Sequence, residues 1–162
     1  MSEAAVASVH VEIVRTATDS ARATSSIDYR VRNLASRRIW VVSDPWFVWQ
    51  QSTDTVTISF ARAPMVAGVE VFGYFDPEVV PLDPDASMDK RLEISWPLQL
   101  GTIWNREPSV WPAAGRYRVR VEIGFGFTPH PTGSDGEDVE DAVLDWQHRA
   151  LSDAGELEVP PK

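Results

Sequence analysis

A chain of 162 residues with 43% hydrophobic and 24% charged residues is long enough for one domain with a real core, and its apolar content argues against wholesale disorder. Cysteine is absent, which removes disulfides, thiol nucleophiles and thiolate metal sites together. The formal charge of −9 disfavours phosphate backbones and anionic lipid, so neither nucleic acid nor a membrane is an expected partner.

The first fourteen residues hold no basic leader and no long apolar run, and no stretch reaches the ~18 apolar residues of a spanning helix, so a cytoplasmic protein is the expectation. The charge is concentrated late. Asp135, Glu137, Asp138, Glu140, Asp141 and Asp145 lie together without Lys or Arg, and removing those six from −9 leaves −3 for the rest.

In chain order, Val9, Val11 and Ile13 alternate with His10, Glu12 and Val14, the period of a strand with one buried face, and predict a strand over residues 6–16. Ile27, Tyr29 and Val31 alternate with Asp28, Arg30 and Arg32; residues 33–37 break the pattern and residues 38–42 resume it. A β-hairpin leading into the aromatic stretch Trp46-Phe47-Val48-Trp49 is the expectation. Val56, Ile58 and Phe60 share one side of a strand over 55–61, and residues 69–75 read as a short apolar strand interrupted by Gly73. Pro77, Pro81 and Pro84 make residues 76–85 a connection between sheets.

Met88, Leu92, Ile94 and Trp96 then alternate with Asp89, Arg91, Glu93 and Ser95, and residues 98–114 lack clean periodicity and read mostly as loop. The most regular run is residues 115–127, with Tyr117, Val119, Val121, Ile123, Phe125 and Phe127 on one face and Gly124 and Gly126 opposite, where they would permit bending. Beyond an acidic loop over 128–142, Val139, Val143, Trp146 and Ala150 fit a helix while Leu144, Trp146, His148 and Ala150 fit a strand. The strand is preferred, making residues 143–159 the closing segment of a single domain over 1–162 whose core spans about 6–127.

Many short strands separated by turns, with no long helix, predict an all-β fold, a two-sheet antiparallel β-sandwich with an irregular acidic C-terminal segment. Two details point to an immunoglobulin-like, fibronectin-type order. The run Pro112-Ala-Ala-Gly-Arg-Tyr117 resembles the entry to the penultimate strand of such domains, where a Tyr hydrogen-bonds back to the preceding loop. Residues 82–87 resemble the turn that hands the chain between sheets. If so, the Ile27 and Met88 strands pair, bringing Arg30 and Arg32 near Asp89 and Glu93, and Arg116, Arg118 and Arg120 face Glu156 and Glu158.

Chemistry-bearing residues are sparse. His10, His130 and His148 are scattered, and no Gly-x-Ser-x-Gly elbow is present. Asp135, Glu137, Asp138 and Asp141 are weak candidates for a hard cation, lacking the spacing of a calcium loop, and no cofactor is called for. Trp46, Trp49, Trp104 and Trp111, in or beside Pro-rich segments, are the candidate binding residues. Three functions compete. The first is a non-catalytic interaction module, an accessory, adaptor or assembly component contacting another protein or itself through loop aromatics or a sheet edge. The second is a carbohydrate-binding sandwich using those Trp rings with Asp44, Gln50, Gln51 or Asn105. The third is a small hydrolase or metal-dependent enzyme.

Overall fold

The structure, a computed structural model, describes residues 8–44, 46–63, 77–101, 106–129 and 139–162. Their elements, in chain order, are β1 (Val9–Asp19), β2 (Thr24–Asn33), β3 (Ile39–Val42), β4 (Val48–Gln51), β5 (Thr55–Ser59), β6 (Val79–Leu82), β7 (Ser87–Ser95), β8 (Leu98–Gly101), β9 (Arg106–Val110), β10 (Gly115–Gly126), α1 (Val139–Trp146), β11 (His148–Leu151) and β12 (Gly155–Val159). The fold is mostly β, as the alternating runs require. A three-stranded sheet of order β1-β2-β7 accompanies a larger sheet that contains β4-β5-β10-β3-β6 and has β11 and β12 on β10; β8 and β9 form a separate ribbon. The inward residues of both sheets, Ile27 and Val31 from one and Ile39, Ile58, Val121 and Phe125 from the other, form one fully buried core.

The expected hairpin between the Ile27 and Arg38 runs does not form: β2 belongs to the small sheet and β3 to the large one. The cause is Asn33, completely buried at the corner. Its Nδ2 donates to the carbonyls of Arg37 (2.8 Å) and Leu82 (2.9 Å), and its Oδ1 accepts from Ala35 N–H (2.9 Å). The main chain of Asn33 also pairs with Ala86 and Asp85, so the 33–38 and 83–86 connections, both passing between sheets, are tied at one point.

Pairing of β2 with β7 is as expected, with Arg30 opposite Asp89 and its Nε 2.7 Å from the carboxylate. The register departs from expectation at the other pair, since Arg32 stands opposite Ser87 and Glu93 opposite Ser26, while Arg91 meets Asp28. Arg116 and Arg118 lie opposite Glu158 and Glu156 on β12. Residues 76–85 are not connection alone: Val79–Leu82 is an outlying strand on β3, a position in which Pro81 is tolerated. Leu98–Gly101 and Arg106–Val110 pair as a ribbon where loop was expected, and Trp49 sits on a strand, opposite Ile58. The expected strand at 69–75 lies outside the described residues.

The C-terminal segment is regular and uses both periodicities. Val139 to Trp146 is helical, correcting the loop and strand expected there, and His148 to Leu151 is the strand. The helix wins first because it lays Val143, fully buried, and Trp146 over the outer face of β10. There Gly124 and Gly126 act through close approach rather than bending: a Cβ at 126 would collide with the Trp146 indole, and one at 124 with the Gln147 amide. No helix among the described residues is long and apolar enough to cross a membrane.

Candidate functional site

Strand β10 is paired along both edges. Val119 faces Val56 and Gly155, Glu122 faces Ser59 and Leu151, and Phe125 faces Val41 and His148. One edge therefore carries β11 and β12, and the other carries β5 and β3. On that second edge β5 runs parallel to β10 and stops at Glu122, whereas β3 runs antiparallel and touches only Phe125 and Gly126. Two chains thus approach head to head and fork apart at Ile123 and Gly124.

The fork is held by charge. Arg62, three residues beyond β5, is 4% exposed, and its Nη2 lies 3.1 Å from Oδ2 of Asp44, two residues beyond β3. The other oxygen of Asp44 accepts the Glu78 N–H at 3.0 Å. The main chain of Arg62, left without a strand partner at the fork, is satisfied by a side chain: its N–H donates to Gln147 Oε1 (2.7 Å) and its carbonyl accepts from Gln147 Nε2 (3.1 Å). Gly124 leaves the space in which the Gln147 amide lies. Arg149 extends the network, donating to the same carbonyl and to Glu122, which also accepts from Ser59 (2.7 Å).

Two hollows open at the fork and share Asp44 and Phe60. The smaller, about 20 Å³, is bounded by Trp46, Phe47, Val48 and Arg62. The larger, about 280 Å³, lies between the sheets, with Tyr29, Val31, Lys90 and Leu92 on one side and Val41 and Ile123 on the other.

Of the expected aromatic residues, Trp46 is 51% exposed and borders the smaller hollow. Trp49 and Trp111 are used internally. Trp49 packs edge-on to buried Trp96 with centroids 5.7 Å apart, and Trp111 donates its indole N–H to the Pro160 carbonyl at 2.8 Å. Trp104 and Asn105 lie outside the described residues, as do Asp135, Glu137, Asp138 and His130. Asp141 falls in α1. Among the described residues no three metal-ligating side chains converge. Asp44 is at the fork, while Gln50 and Gln51 are exposed on β4.

The two described histidines are far apart in the topology, His10 on β1 and His148 on β11. The His148 ring packs on Phe125 and Phe127, with centroids 5.5 and 5.2 Å away, and Arg37 lies 3.8 Å above the Phe127 ring. Burial, assisted by the positive charge of Arg37, lowers the imidazole pKa below its ordinary 6.5.

Sequence reasoning missed Arg62 and Lys90, yet both left a signal. Position 62 continues the inward register of 56, 58 and 60, and position 90 continues that of 88, 92 and 94. A lone cation in an apolar register is the cue. Gln147 left none, since its role depends on a glycine 23 positions earlier. No protein-family model, curated protein or solved structure matches this chain, so the site is read from its own chemistry.

Proposed function

We propose that this chain is a non-catalytic protein-interaction module of the cytoplasm, an immunoglobulin-like sandwich of fibronectin type, that engages its partner through Trp46 at the fork. The architectural part is supported by the β1-β2-β7 sheet opposed to β6-β3-β10 with β11 and β12, and by Tyr117, whose hydroxyl donates to the Ala113 carbonyl at 2.7 Å. The observation that carries the functional part is Trp46 itself. It is a large, half-exposed indole beside a hollow whose wall is fixed by a buried ion pair. An anchor of this kind binds well because little ordering is left to do on association.

A sugar-binding platform needs several exposed rings in one plane, and Trp49 and Trp111 are committed to internal contacts. That favours a protein partner over carbohydrate. The test is co-purification with the intact chain and with Trp46→Ala, each checked by circular dichroism and light scattering. A defined partner retained by the native chain and lost by the folded variant is the expected result. A partner held equally by both would overturn the assignment to Trp46, and loss of a dimer in the variant would replace a foreign partner with self-association.

A further inference from the structure

The larger hollow carries an inference independent of Trp46. On β7, residues 88, 90, 92 and 94 point inward, and the residue at 90 is a lysine. Lys90 lies opposite Tyr29 in the register, and both line the hollow. Tyr29 is 7% exposed and stacks on Phe60 at 5.5 Å. Neither its hydroxyl nor the Lys90 ammonium has a hydrogen-bonding or ionic partner among the described residues. Burial raises the phenol pKa to about 12, so the group remains a protonated donor.

Among the described residues, every other charge bordering this space is already met. Asp44 is held by Arg62 and the Glu78 N–H, and Arg91 turns to Asp28 and Ser26. Among the described residues, the Lys90 ammonium and the hydroxyls of Tyr29 and Ser43 therefore remain, beside the paired Asp44 and Arg91, in a lining that is otherwise apolar. We infer that the inter-sheet hollow is a binding site for a small organic monocarboxylate with a compact apolar body, its carboxylate received by Lys90 and Tyr29. The size fits: an apolar cavity of roughly 150 Å³ accommodates benzene, so about 280 Å³ takes one ring or a short alkyl chain together with its carboxylate.

The test titrates the intact protein with phenylacetate and hexanoate, and with the neutral phenylacetamide and hexanamide, by calorimetry and by methyl NMR at Val31, Val41 and Leu92. The acids are expected to bind about tenfold or more tightly than the amides, as a charge-assisted hydrogen bond requires. Lys90→Met is expected to erase that preference, Lys90→Arg to keep it, and Tyr29→Phe to weaken acid binding severalfold. Acids that leave those methyls unmoved at millimolar concentration would overturn the inference. So would an acid preference that survives Lys90→Met, which would make Lys90 only a charge guarding a sheet margin against self-pairing.

Discussion

Segments distant in sequence are tied together in two contrasting ways. Near the β1–β2 turn, neutral groups do it: Trp96 Nε1 donates to Ser25 Oγ (3.0 Å), and Ser25 and Thr18 both donate to the Glu158 carbonyl (2.7 and 3.0 Å). At the fork, within the larger sheet, ion pairs join the neutral Gln147 contacts, with Arg62 and Asp44 buried together and Arg149 tied to Glu122. The neutral clasp shows that this fold can satisfy buried polar atoms without charge. A buried ion pair contributes little net stability compared with apolar packing, since desolvation offsets much of its attraction. The ionic contacts at the fork are thus one of the observations behind the proposed binding region.

The difference can be broken deliberately, and the largest effect is expected at Asp44. Asp44→Ala removes one partner of the buried Arg62–Asp44 pair and should lower stability by about 3–5 kcal/mol in urea unfolding. Replacing both partners together, Asp44→Ala with Arg62→Met, should recover much of that loss, whereas additive losses would mean the pair is not coupled. Gly124→Ala should cost about 1–3 kcal/mol, because the new methyl displaces the Gln147 amide from the Arg62 main chain. Gln147→Ala in the Gly124→Ala background should then add little.

At the clasp, Ser25→Ala orphans the Trp96 N–H and should cost about 1–2 kcal/mol, detectable as a lower urea midpoint with unchanged slope. The smallest effect is a pH dependence from His148. Its lowered folded-state pKa means that the unfolded chain binds the proton more readily. The contribution is complete above pH 6.5 and is lost as pH falls from there toward the folded value. His148→Phe should flatten the stability profile in that window, and an unchanged profile would place the titration elsewhere.

Much of the scaffold was legible because period-two alternation depends only on neighbouring residues. The β10 run follows from local pattern, while the β2–β7 pairing and the Tyr117 contact follow from the resemblance to an immunoglobulin-like order. The β2–β3 corner was not legible, because a hairpin and a crossover share the same flanking alternation, and the choice rests on Asn33 reaching Leu82, 49 residues away. The aromatic residues were legible as a group but not individually. Trp46 is exposed, while Trp49 meets a Trp 47 positions further on. The fork was invisible for the same reason, since it exists only where β3 and β5 compete for one edge of β10.

The most direct measurement places a photo-crosslinking residue at position 46, and separately at position 22 in the exposed turn near the clasp, and irradiates each protein in its native cell extract. A discrete covalent adduct to one protein from position 46, with none from position 22, is the predicted result. Adducts from position 22 alone, or indistinguishable adducts from both, would contradict the assignment of the fork as the binding region.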